Sequence, residues 1–115
     1  MPIAYVFAPA YTSLGTEEAP GLLDWVESRL QAGAEYLLID LQNIQQMGSS
    51  GLGTLMIARN RARRAGGMLM LCSLTPPTQL CLDRAGVLEK FKIYRDRQDF
   101  EQQLDTPTGL SLSQD

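Results

Sequence analysis

With 115 residues, 44% of them apolar, the chain suits one domain that buries a core without disulfides or metal. Its net charge of −3 gives no general attraction to phosphate backbones, which excludes a dedicated nucleic-acid binder. Neither a charged leader with an apolar stretch nor an apolar span of membrane length occurs. Neither secretion nor membrane insertion is therefore signalled, and the expected compartment is the cytoplasm.

Ile3-Ala4-Tyr5-Val6-Phe7-Ala8 reads as a first strand ended by Pro9, starting so near Met1 that little is expected before it. A helix is expected from Thr16. Glu17 and Glu18 lie near its positive end, Pro20 in its first turn, and Leu22, Leu23, Val26 and Leu30 form its buried stripe. Gly33 stops it, and Trp25 is expected to pack at an edge rather than serve as a ligand platform. Tyr36 through Leu41 is a continuous apolar run of strand length, the mark of a strand covered on both faces. Asp40 near its end suits the capping of a neighbouring loop.

The stretch Met47-Gly48-Ser49-Ser50-Gly51-Leu52-Gly53 marks the change from that run to a helical pattern. From Gly51 onward Leu55, Ala58, Ala62 and Ala65 recur at steps of three and four, until Gly66-Gly67 supplies a stop. At ~100° per residue, this stripe sets Gly53, Met56, Ile57 and Asn60 on the opposite side, with Met56 and Ile57 as a solvent-facing apolar pair. Ser49 and Ser50 fall at the helix N-terminus, where the first N–H groups lack internal partners and the helix dipole is positive. A serine there can cap the helix, worth ~1 kcal/mol, or carry a phosphate that the free amides hold. Spacing alone leaves both uses open. The glycines lack the lysine of a phosphate-binding loop and the order of a dinucleotide fingerprint, so nucleotide binding is the weaker alternative.

Met68-Leu69-Met70-Leu71-Cys72 repeats the buried-strand pattern, and Thr75-Pro76 supplies a cap and a first helical position. That helix should run to about Ala85, with Gly86 after it. A short strand over Phe91-Lys92-Ile93-Tyr94 and a closing helix from Arg97 to Leu104 follow. Residues 1–104 thus form the expected domain, and 105–115, rich in Thr, Ser, Pro and Gly, a disordered tail. Cys72 and Cys81 match no zinc or redox spacing and are expected as buried, unpaired thiols. The chain has no histidine, no ligand cluster and only scattered carboxylates, so no enzyme, metal or cofactor is expected. Arg59, Arg61, Arg63 and Arg64 form the one basic cluster. Their position at a helix C-terminus is better explained by the dipole than by an RNA or acidic-partner patch. Strands alternating with helices imply an α/β domain with a largely parallel sheet, whose sites lie beyond the carboxyl ends of the strands, where the loop from Leu41 to Ser50 emerges.

Leu38-Ile39-Asp40, Met47 through Gly53, Ala65 through Cys72 and Arg84-Ala85-Gly86-Val87-Leu88 together resemble the STAS family of bacterial anti-sigma-factor antagonists, over most of the chain. The resemblance implies a STAS-like single domain with a mostly parallel mixed sheet of four to five strands and about four helices. The family motif reads Asp-Ser-Ser-Gly-Leu-Gly or close to it. The serine after the aspartate, the phosphorylation site, corresponds to Ser49, while Gly48 stands in the aspartate's place. The implied function is partner switching: the unmodified domain occupies an anti-sigma factor or related serine kinase, and phosphorylation releases it. The implied partner surface comprises Gly48, Ser49, Ser50, Gly51 and Gly53, and the opposite helix face adds Met56, Ile57 and Asn60. The alternative is a STAS scaffold or small-ligand domain that has lost the phosphoswitch with the aspartate. The family commonly has an additional strand before the one that starts at Ile3; here it is expected to be missing or very short, which would leave a sheet edge open to a homodimer.

Because residues 105–115 offer little periodic apolar surface against their ordering entropy, truncation after Leu104 should lower the unfolding free energy by less than about 1 kcal/mol in denaturant titrations. A larger loss means that the tail docks on the domain.

Overall fold

The computed structural model describes residues 3–104, so the expected tail, 105–115, lies outside the described residues. In chain order the elements are β1 (Ala4–Phe7), β2 (Ser13–Leu14), α1 (Ala19–Gln31), β3 (Tyr36–Asp40), β4 (Gln46–Met47), α2 (Ser49–Arg64), β5 (Met68–Cys72), α3 (Pro76–Arg84), a 3-10 turn (Leu88–Lys90), β6 (Lys92–Tyr94) and α4 (Arg97–Leu104). The main sheet has the order β1-β3-β5-β6 with every pairing parallel, and β2 and β4 form a second, two-stranded parallel sheet. This is the α/β architecture expected, with four main strands and four helices.

The strands read as unbroken apolar runs because both of their faces are covered. Leu37, Ile39, Leu69 and Leu71 face a core shared with Leu22 and Val26 of α1, Leu55, Ala58 and Ala62 of α2, and Leu82 of α3. Leu38, Met70 and Cys72 alternate to the other face, against Tyr94 and Phe100, whose rings meet edge-on at 5.2 Å. Burial pushes the Cys72 thiol up to about 11, outweighing the hydrogen bond from Ser73, which lowers it. Cys81 is only half-buried, and its thiol donates to the Met47 carbonyl at 3.2 Å. The expectation of two buried thiols therefore holds for Cys72 alone, because position 81 falls at the rim of α3.

One helix start and one expected cap bond differ from the sequence reading. Residues 16–18 form a turn, and α1 begins at Ala19, after the Ala19 N–H has bonded the Gly15 carbonyl at 3.1 Å. The Glu18 carboxylate accepts the Gly15 N–H at 2.9 Å, so it closes this turn. Of the expected stripe, Leu22 and Val26 are fully buried and Leu23 and Leu30 half-buried. Thr75 does precede α3, but its hydroxyl makes no cap bond. It donates instead to the Ile44 carbonyl at 2.6 Å, and Thr78 reaches the same oxygen at 3.2 Å. Trp25 packs with its ring centroid 5.1 Å from that of Phe7, as edge packing requires. Gly86, at φ +72°, takes the left-handed position that ends α3.

Gly51 fixes where α2 sits. It is buried in the first turn, where an added Cβ would run into the Leu14 carbonyl of β2 and lie 2.7 Å from Met47 Cγ of β4. Only a residue without a side chain lets the helix start lie directly on the small sheet. Gly51→Ala must push backbone away from backbone, and should lower stability by about 3 kcal/mol or more, whereas Gly53→Ala, which meets nothing within 4 Å, should be neutral or stabilising. Chemical denaturation of the two variants checks this contrast. Equal stability would show that α2 can slide without loss.

Candidate functional site

The loop between β3 and α2 is built to hold one end of a helix still. Between Gln42 and Gln46 its side chains are polar except for Ile44, which is fully buried. The Ile44 carbonyl takes the hydroxyls of Thr75, just before α3, and of Thr78 in its first turn, and Asn43 donates to the Pro9 carbonyl at 3.2 Å. The amides of Gln45 and Gln46 bond the Thr12 carbonyl at 2.7 and 3.2 Å. Asp40 plays the role expected of it, accepting the Gln42 N–H at 3.1 Å and so closing the start of the loop. Ile44, Thr75, Thr78 and Leu14, which position the site, were not among the candidate residues read from the sequence. The lone Ile44 in a polar run was the signal available.

α2 begins at Ser49, with Gly48 as its N-cap. Both serines are thus inside the first turn, and the cap position has no side chain to offer. Of the two uses left open for a serine at this helix start, capping is not made: neither hydroxyl makes a hydrogen bond among the described residues, and both side chains are exposed. The amides of Ser49, Ser50 and Gly51 likewise have no acceptor among the described residues. Leu52 is the first whose N–H is satisfied, by the Gly48 carbonyl at 3.0 Å. Unpartnered donors, two free hydroxyls and the positive end of a 16-residue helix therefore meet at one exposed point.

The two serines differ in their surroundings. An added Cβ on Gly15 would lie 3.8 Å from Ser50 Oγ and 3.6 Å from Glu18 Oε1, so Ser50 and the Glu18 carboxylate share one neighbourhood. Burial and the Glu18 charge together push the Tyr11 hydroxyl pKa up in the same region.

The structure brings Gly48, Ser49 and Ser50 together at the surface and places Gly51 beneath them, turned inward. Gly53 is half-exposed with open space around it. Farther along α2, Ile57 is 45% exposed and Asn60 is exposed. Met56 is half-buried and packs against the core, which corrects the solvent-facing pair to a single residue. The reason is the width of the buried arc: Gly51 and Thr54 are buried too, and Thr54 turns its hydroxyl onto the Ser50 carbonyl at 2.7 Å. Ala65, expected in the stripe, is exposed at the C-cap. Of the basic cluster, Arg61 pairs with Glu27 at 3.7 Å. No group of acidic, cysteine or histidine side chains suited to a metal ion occurs among the described residues, and no helix among them is long and apolar enough to cross a membrane.

A family model for the STAS domain matches residues 12–100. An anti-sigma F factor antagonist of Paenibacillus polymyxa is 33% identical over 60 residues, which are 52% of this chain and 51% of that protein, so the match spans about half the length of the curated relative. The crystal structure of a candidate anti-sigma factor antagonist from Thermotoga maritima superposes with a TM-score of 0.75 at 19% identity, covering 88% of each chain. The anti-sigma factor antagonist SpoIIAA in its unphosphorylated form superposes with a TM-score of 0.72 at 11% identity, covering 89% of each chain. At those identities the two structures show the shared fold.

Gly48 has φ −90° and ψ −165°, an extended conformation open to any residue, and an added Cβ there meets nothing within 4 Å. No backbone requirement holds glycine at this position. Gly48→Asp should therefore fold and gain from a few tenths to about 1 kcal/mol through capping and the helix dipole, read as a higher denaturation midpoint. Ile57→Lys should change stability by less than about 0.5 kcal/mol, whereas Met56→Lys should lower it by more than 1 kcal/mol or so, since only Met56 reaches the core.

Proposed function

Because the chain belongs to the STAS domain family, we propose that it is a non-enzymatic, cytoplasmic protein-interaction module that docks an anti-sigma factor or a related serine-kinase switch protein through the N-terminus of α2, and that phosphorylation of Ser49 releases the partner. The observation that carries this reading is the exposed first turn, where Ser49 and Ser50 present free hydroxyls over unpartnered amides. A phosphate adds roughly −1.5 to −2 charges and strong acceptors. In the free domain those amides and the helix dipole can receive it, whereas a docked interface would have to bury it. Modification therefore favours the free state. A difference of ~1.4 kcal/mol between the two environments already changes affinity tenfold.

Ser49 rather than Ser50 is the acceptor in this reading, since a phosphate on Ser50 would arrive beside the Glu18 carboxylate. Gly48, Ser49, Ser50, Gly53, Ile57 and Asn60 supply the docking face, with Gly51 and the half-buried Met56 supporting it from below. The absence of histidine from the sequence supports a binding rather than a catalytic role. The open side of β1, which pairs only with β3 among the described residues, is the edge through which a homodimer would form.

A second reading, a scaffold or small-ligand domain without the phosphoswitch, is favoured by one observation, Gly48 in place of the motif aspartate. Binding of the native partner to Ser49→Asp and Ser49→Ala separates the two. Ser49→Asp should bind about tenfold more weakly or worse, and Ser49→Ala as the unmodified protein does. Gly48→Asp should raise the rate of phosphorylation by a family kinase. Should both Ser49 variants bind like the parent, Ser49 is a structural serine and the second reading replaces the first.

A further inference from the structure

At the far end of α2, where Arg59 and Arg63 lie about 15 and 21 Å along the axis from Ser49 at ~1.5 Å per residue, cations from separate elements converge on one groove. Arg59 and Arg63 from the last turns of α2 and Lys90 from the 3-10 turn line a cavity of about 630 Å³ with Met68 and Phe91, and Glu89 is the one carboxylate among its lining residues. Lys92 also borders it, but its ammonium stands 5.6 Å from the centre of the Tyr94 ring. Arg59 is tethered, its Nε donating to the Lys90 carbonyl at 2.8 Å, so the helix and the turn are held in a fixed relation across 31 residues. None of Arg59, Arg63 and Lys90 has an ion-pair partner among the described residues, whereas Arg61 on the same helix pairs with Glu27.

Helix-dipole compensation accounts for arginines on α2, but not for Lys90 meeting them from another element. Gathering like charges around one concavity works against the folded state unless an anion offsets it, and the remainder of this acidic chain supplies only Glu89 there. The volume suits a small molecule, and Met68, 48% exposed at the groove, offers an apolar surface to an organic body. We propose that this groove binds a small organic polyanion carrying adjacent phosphate groups, held by the Arg59 and Arg63 guanidinium groups and the Lys90 ammonium. The planar forks of the two arginines suit phosphate oxygens. Distance from the α2 N-terminus leaves such a ligand free to bind at the same time as a partner there.

Calorimetric titration of the full chain with ATP and with inorganic tripolyphosphate, at ionic strength on the order of 20 mM and again near 150 mM, tests the assignment. Both probes should bind, ATP more tightly because of its organic body, and Arg63→Glu should weaken each at least about tenfold while Arg61→Glu, an equal charge change outside the groove, leaves them within about threefold. Lys90→Gln provides an independent variant on a separate element and should weaken both probes. The proposal is overturned by no binding at low salt, by equal losses in Arg61→Glu and Arg63→Glu, or by tighter binding of a poly-glutamate peptide or a single-stranded RNA than of ATP. The last result would assign the groove to a macromolecule.

Discussion

The close approach of Gly51 to the Leu14 carbonyl is the constraint on which the arrangement of this domain turns. Two short strands, β2 and β4, pair in parallel beyond the carboxyl end of the main sheet and form a floor, and α2 can rest on that floor only where it lacks a side chain. The same contact decides what is left exposed. With Gly51 pressed inward, the residues before it, Gly48, Ser49 and Ser50, are lifted to the surface, and their amides point where no backbone acceptor reaches them. The loop that feeds the helix is fixed from below by one carbonyl, that of Ile44, which the hydroxyls of Thr75 and Thr78 satisfy together. A rigid scaffold thus presents a polar, unsatisfied helix start. That is the geometry a binding surface needs if it is to change affinity with a single added charge.

The electrostatics of α2 run in the same direction as its packing. Its N-terminal turn contains no acidic side chain, so the dipole's positive end is uncompensated, while Arg61, Arg63 and Arg64 occupy the last turn. A carboxylate in the Gly48 position would partly neutralise the N-terminus and cap it; glycine leaves it bare. Glu18 is the nearby acid, but it is engaged with the Gly15 amide of the β2–α1 turn rather than with α2. The acid nearest the start of α2 therefore belongs to a neighbouring turn, and the cap position of the helix has none.

Much of the fold was legible in the sequence because burial on two faces leaves an unmistakable trace: Leu37 to Leu41 and Leu69 to Cys72 allow no polar residue except Asp40, at the strand end where a loop amide can take it. The helix start was legible for the same reason, as the point where such a run gives way to small residues. What escaped had no periodic signal. Strands of two residues, Ser13–Leu14 and Gln46–Met47, are too short for alternation to show, and the role of Gly51 depends on β2, which lies far from it in sequence. Thr75 looked like a cap because of the proline after it, yet a buried carbonyl 31 residues away was the better partner for its hydroxyl. Met56 was assigned to solvent from a stripe of Leu and Ala residues. The buried arc is wider because Gly51 and Thr54 are small enough to belong to it as well.

The central claim is that the start of α2 is a protein-docking surface under serine control, and isolating the complex the full chain forms at native expression level tests it most directly. The account predicts co-purification, in defined stoichiometry, of a protein with a serine-kinase fold, and its loss when the chain carries phosphate on Ser49 as read by mass spectrometry. Recovery of only further copies of the chain or a bound small molecule, with Ser49 unmodified under all conditions, would contradict it.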